Sequence, residues 1–338
     1  MSSSSVGVWI CCTLLSLGST RIASGFSAQG QAPNPVTEAQ QLQNNGRFKE
    51  AERVLVLALQ ETERQEGGSV QVAVIADNLA SVYEDLGRYL DAMELYLRSA
   101  TLLERTVGIE AEMSLIARSH LATLYMETGQ LSKAEVLVRR TLEIEEKKQG
   151  AEDLRVAELL EILATLYGME KRPDAEVTFR NALAIFHRTL APTDVRIAMA
   201  LTNLACVVEV SGRHEEAASY AEQSWQILDG RTDTTPATVI KTLTVLGVVY
   251  SVLGRASLAE SCLTRALASA ETSYGPHHPN VAYVLQNFAT VMHHSHQERK
   301  ARSMELRAKQ ILTKHARENH MDHIVDLRSL LPVEQGRR

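Results

Sequence analysis

The sequence predicts an all-α solenoid of about seven antiparallel helix pairs, filling residues 37–318 of a 338-residue chain. Three observations predict it. Ala51, Ala92, Ala134, Ala175, Ala217, Ala259 and Ala301 follow one another at intervals of 41 or 42 residues. Seven positions after each stands a second small residue: Ala58, Ser99, Thr141, Ala182, Ser224, Ala266 and Ala308. Twelve positions before each, or eleven in one case, stands a third: Ala39, Ala80, Ala122, Ala164, Ala205, Gly247 and Ala289. Helices packed about 8–10 Å apart need small side chains where their backbones come closest. A fixed period therefore describes stacked units, none of which can bury its apolar stripe alone.

The elements follow in order. Val6 to Leu17 is apolar but shorter than the roughly 20 residues a bilayer span needs. Ala23-Ser24-Gly25 after it fits a small-x-small cleavage site, although no Lys or Arg precedes Arg21. Residues 1–25 are thus expected to be an export signal. Its cleavage would give a periplasmic or secreted protein with no stable membrane span, and its retention a cytoplasmic one. Residues 26–36 read as a Gly/Pro/Gln-rich linker. The first pair opens at about Thr37. In the second, Leu79, Ala80 and Tyr83 share one helical face, Gly87 ends the helix, and Ala92, Leu95, Tyr96 and Ser99 form the stripe of the next. The third repeats this with Ala122, Tyr125, Gly129 and Ala134. The fourth has Ala164, Tyr167, Ala175 and Phe179, but Glu170-Lys171 at the turn and one residue fewer, so its turn is expected to differ. The fifth carries Val208 and Gly212, the sixth Tyr250 and Gly254, and the seventh Met292 and His296. A last charged helix, 297–318, buries Ala301, Met304, Ala308 and Ile311 and caps the stack. The tail, 319–338, has no period.

These residues resemble tetratricopeptide repeats. The motif of small residue, Tyr, Gly, Ala, aromatic and small residue stands as Ala80, Tyr83, Gly87, Ala92, Tyr96 and Ser99. The period of about 42, against about 34 for the common form, resembles the kinesin-light-chain type. So does the connection from Tyr274 to Ala282, which reads Tyr-Gly-Pro-His-His-Pro-Asn-Val-Ala and accounts for His278. Departures from the pattern include Leu42 in the first pair, where the Tyr belongs. The resemblance implies a right-handed superhelix whose first helices line a concave groove. The function it implies is a non-catalytic scaffold for a peptide or protein partner.

Carried over by register, that groove holds Asn78, Asn203 and Asn287, each two residues before the small residue. An amide both donates and accepts, so it can hold an extended backbone without reading its sequence. The other reading is an amide that links helices within the stack. His120 replaces the Asn in the third repeat. Asp77, Ser81, Glu84, Asp85, Glu127, Glu158, Glu161 and Glu209 share the face, with few cations such as Lys241, which favours a basic partner. The rival function is self-assembly through the convex face or the ends, and the sequence sets no oligomeric state.

A net charge of −6 gives no reason to expect nucleic acid. Four cysteines are too few for a disulfide scaffold, and Cys206 and Cys262 read as free thiols. Eight of eleven histidines crowd between His277 and His323 without a spaced ligand set, so no metal or other cofactor is expected. Arg213-His-Glu-Glu-Ala-Ala218 lacks the second His of a zinc protease helix, and no phosphate loop or nucleophile elbow is present, so no enzyme is expected. Glu143, Glu145 and Glu146 beside Lys147 and Lys148 read as a solvated face. Tyr83, Tyr125, Tyr167 and Tyr250 read as core.

Overall fold

The computed structural model describes residues 34–66 and 68–318. The expected leader, most of the linker and the tail lie outside the described residues. Among the described residues there are fourteen helices and no strand. They alternate as α1 (Pro35–Asn44), α2 (Phe48–Glu66), α3 (Val70–Asp85), α4 (Tyr89–Thr106), α5 (Glu112–Glu127), α6 (Leu131–Gln149) and α7 (Leu154–Met169). Then come α8 (Asp174–Thr189), α9 (Val195–Val210), α10 (His214–Leu228), α11 (Pro236–Val252), α12 (Ala256–Tyr274), α13 (Pro279–His294) and α14 (Glu298–Glu318).

The chain divides into two compact units. The N-terminal one comprises residues 34–126 and 130–163, and the C-terminal one 127–129 and 164–318. In the N-terminal unit α3 packs on α2 and α4 and touches α1. In the C-terminal unit α9, α11 and α13 lie side by side, while α10, α12 and α14 pack against them as their hairpin partners.

The periodic small residues sit at the helix crossings. All are buried except Ala58, which is half-buried. Gly247 marks the tightest approach: a Cβ there would lie 2.5 Å from Leu263 Cγ, so an alanine cannot replace it without a shift.

One turn design closes the hairpins. Gly87 takes the left-handed conformation, φ 73°, and the next backbone N–H, of Arg88, donates to Tyr83 O at 2.7 Å. Lys171 (φ 56°) and His296 (φ 55°) occupy the same left-handed position without being glycine. The fourth turn was expected to differ and does not: Arg172 N donates to Tyr167 O at 2.8 Å, as in the other hairpins. Its missing residue comes instead from the start of α8, where Ala175 N reaches back three residues to Arg172 O rather than four.

Side chains also open the odd helices, satisfying backbone donors that a helix start leaves free. Asn34, Ser69, Asp153, Asp194, Thr235 and His278 each accept from a backbone N–H two or three residues on. The cap at Asn34 starts α1 at Pro35, two residues before Thr37. His278 thereby acquires a structural role in its loop, with its ring stacked on Tyr274 at 4.7 Å.

The residue after the turn does further work. Arg88 and Arg172 lie over the rings of Tyr83 and Tyr167, 4.0 and 3.8 Å from their centroids. Arg88 also pairs with Glu52 of the preceding hairpin at 2.6 Å, Arg213 pairs with Glu176, and Arg255 with Glu215 at 3.2 Å. Cys206 is buried and Cys262 half-buried, and neither is in a disulfide.

Candidate partner-binding face

The odd helices carry every residue that register assigns to a binding face, and the structure places most of them inside the stack. Asn78, Asn203 and Asn287 are each 2% exposed. Asn78 Nδ2 donates to Val74 O at 2.9 Å in its own helix, and its Oδ1 accepts from Gln40 Nε2 on α1 at 3.2 Å. Asn78 thus links neighbouring helices. Asn287 Nδ2 donates to Tyr283 O at 2.9 Å, while its Oδ1 is buried with no hydrogen bond.

The acidic residues of the N-terminal unit have internal partners. Asp77 Oδ2 meets His120 Nδ1 at 2.7 Å, both side chains buried, and the His120 ring leans on Tyr96. Glu84 accepts from Tyr96 Oη at 3.0 Å. Asp85 and Ser81 accept from Gln43 Nε2 at 2.7 and 3.3 Å. Gln40 and Gln43 are the members that the sequence reading missed. They lie one and four residues after Ala39, and the signal for them is the slippage of about three residues between neighbouring odd helices. Glu127 and Glu158 are half-buried and Glu161 is buried.

The C-terminal unit differs in charge. Between them α9, α11 and α13 carry one carboxylate, Glu209, and it meets His214 Nδ1 at 2.8 Å. Their polar groups are mostly hydroxyls and amides. Thr202 Oγ1 on α9 bonds both Ser224 Oγ on α10 at 2.8 Å and Thr242 Oγ1 on α11 at 2.9 Å. Ser224 in turn donates to Ala198 O at 2.7 Å. Acidity at the face is therefore a property of the N-terminal unit.

One expectation about charged groups changes. Glu145 is not on a solvated face: it is 1% exposed, and its Oε2 has no hydrogen bond. It occupies the position that Leu103, Phe186 and Leu228 fill in other repeats. Burial pushes its carboxyl above the usual range, against the pull of Lys148 and Arg155. Glu143, two residues away, is exposed and pairs with Lys147 at 2.6 Å. Of the late histidines, His293 is held between Glu298 and Glu305 at 3.0 and 2.9 Å. Burial lowers its proton affinity, but the two carboxylates outweigh that and raise it.

Among the described residues no three His, Cys, Asp or Glu side chains stand together as metal ligands. Among them, too, no helix is long and apolar enough to cross a membrane.

Hairpins of this period, with small residues at their crossings and a left-handed turn between their helices, define a class, and known proteins bear the definition out. Two tetratricopeptide-repeat family models match the chain, over residues 72–110 and 238–314. Over these two segments the chain carries tetratricopeptide repeats. Its repeats are kinesin-light-chain-like. Protein KINESIN LIGHT CHAIN-RELATED 1 of Arabidopsis thaliana is 27% identical over 214 residues, 62% of this chain and 35% of that protein. The chain thus matches about a third of that relative's length. BtubC (BKLC) of P. vanneervenii superposes with a TM-score of 0.50 at 20% identity, covering 71% of this chain and 91% of that one. The Rap conjugation gene regulator of plasmid pLS20, solved in complex with the Phr* peptide, superposes with a TM-score of 0.68. It is 11% identical, covering 89% of this chain and 82% of that one. These two likenesses are likenesses of fold.

Proposed function

We propose that the chain is a non-catalytic scaffold that holds a peptide or protein segment on the odd-helix face of its repeats. The observation that carries this is the side-by-side packing of α9, α11 and α13. It brings equivalent positions of successive repeats onto one face, as a ligand running across a repeat array requires. The fold is shared with a regulator solved in complex with a peptide. In the N-terminal unit the acidic residues of α3 and α7 favour a basic segment, by an attraction that salt weakens.

The test is a displayed random-peptide library selected on the full chain. Selected peptides are then mapped by photo-crosslinking from Met199 on α9 and Thr290 on α13, both half-buried, and from Leu258 on α12, half exposed. Crosslinks from Met199 and Thr290 and none from Leu258 are expected. Crosslinks from Leu258 alone, or between copies of the chain, would move the function to the outer helices and to self-association.

A further inference from the structure

The first hairpin turn carries a reactive pair that the other turns lack. Asn45 precedes Gly46, and no other Asn-Gly pair stands in the sequence. Leu86, Thr128, Ser211 and Leu253 hold the same place before the turn glycine in other hairpins, so the turn does not call for an asparagine. The backbone nitrogen that follows an asparagine can attack the side-chain amide carbon, and a glycine, with no Cβ, puts nothing in the way. Asn45 is exposed, and its side-chain amide makes no hydrogen bond among the described residues.

The closed turn prevents this attack. Asn45 has ψ 7°, which eclipses the Gly46 nitrogen with the Asn45 nitrogen and turns it away from Cβ. The Gly46 N–H is also engaged, donating to Gln43 O at 2.9 Å, and beside it Arg47 N donates to Leu42 O at 2.8 Å. Reaction therefore needs the turn to open. Little holds it shut. Helix α1 has ten residues, against fifteen or more in every other described helix. Its side-chain bonds to α3 run from Gln40 to Asn78 and from Gln43 to Ser81 and Asp85. Short elements with few partners are the first to open locally.

We propose that Asn45 is a site of spontaneous deamidation, gated by opening of the first hairpin. Gly46 N bonds to Asn45 Cγ, the Cγ–Nδ2 bond breaks, and Nδ2 leaves as ammonia with the proton that Gly46 N gives up. Water then opens the resulting imide at one of its two carbonyls, leaving aspartate or isoaspartate. Isoaspartate carries the main chain through Cβ and Cγ, one atom longer than before, so the turn bonds at Gly46 and Arg47 lose their fit. The modified hairpin no longer closes over α3, and Ser81 and Asp85 lose the donor that Gln43 supplies. The reaction converts a transient opening into a lasting one, and it stands independently of the ligand reading above.

The experiment holds the full chain in warm, mildly alkaline buffer and follows its peptides by mass spectrometry, with fragmentation that separates isoaspartate from aspartate. Conversion at Asn45 is expected, with more isoaspartate than aspartate, while the equally exposed Asn44 stays intact. In denaturant Asn45 should convert faster than in the folded chain. Gln43→Ala, which deletes one bond to a carboxylate and one to a hydroxyl, should speed conversion in the folded chain by about tenfold. Asn45→Leu, with the residue of Leu86 and Leu253, should fold as the parent does and age unchanged. Hydrogen exchange of the aged chains should show α1 losing protection in the parent and keeping it in Asn45→Leu.

An Asn45 that stays intact in the folded chain yet converts in denaturant overturns the site. Equal rates in the two states, or a rate that Gln43→Ala leaves unchanged, overturn the gating. Protection of α1 that survives conversion overturns its structural consequence.

Discussion

The third hairpin (α5–α6) and the fifth (α9–α10) bury polar groups in opposite ways. The fifth buries hydroxyls at a crossing where small side chains are required, and Thr202, Ser224 and Thr242 satisfy one another within 2.9 Å. The third buries Arg118, His120 and Glu145. His120 is matched by Asp77. Arg118, 2% exposed, gives Nε to Glu104 Oε1 at 2.7 Å and keeps a buried Nη1 with no partner. Glu145 Oε2 has none. Positions equivalent to Arg118 hold Ala76, Leu201, Leu243 and Leu285. What separates the two hairpins is whether each buried group is matched, and burial of polarity as such is common to both.

That difference can be broken from either side. The largest effect is expected at the matched buried pair. Asp77→Ala strands the His120 Nδ1–H and should cost about 2–4 kcal/mol by denaturant titration, with Asp77→Asn retaining most of it. In the fifth hairpin, Thr202→Val deprives Thr242 of its partner across the helix pair and should cost about 1–2 kcal/mol in the same titration. The unmatched group should behave with the opposite sign. Glu145→Leu, taking the residue of Leu103 and Leu228, should stabilise by about 1–2 kcal/mol near neutral pH. A loss of stability there would mean that Glu145 has a use the third hairpin has concealed.

The pH dependence sharpens this. The Glu145 carboxyl binds its proton more tightly folded than unfolded. The parent should lose stability as pH rises from the ordinary glutamate range, with the penalty complete above the folded value. Glu145→Leu should flatten that slope. The smallest effect is expected at His293, a third exposed, where raised proton affinity works the other way. Its contribution is full below the ordinary histidine value of 6.5 and fades as pH rises through the folded one. His293→Gln should remove a term below about 1 kcal/mol from the last hairpin, read by hydrogen exchange of α14.

The crossings and turns were legible in the sequence because steric demands admit few residues: an alanine at contact, a glycine at positive φ. Lys171 and His296 show the limit, since the geometry persists where its usual residue does not. Charge was less legible. Composition around Glu145, rich in Lys and Glu, describes a solvated helix, whereas the column of Leu103, Phe186 and Leu228 describes a core. Only comparison across repeats separates the two. The face residues were legible by register, but the Gln40–Asn78 and Gln43–Asp85 bonds depend on how far one odd helix slides past the next, which no single repeat encodes.

The turn cations have a direction. Arg88 reaches back to Glu52, Arg213 to Glu176, Arg255 to Glu215 and Lys300 to Glu260; in each case the cation belongs to the later hairpin and the acid to the earlier. During synthesis, then, these joints can latch as soon as the newer hairpin leaves the ribosome, onto a surface already finished. The direction belongs to these cations alone, since Arg180 of the fourth hairpin pairs forward with Glu216 of the fifth at 2.9 Å.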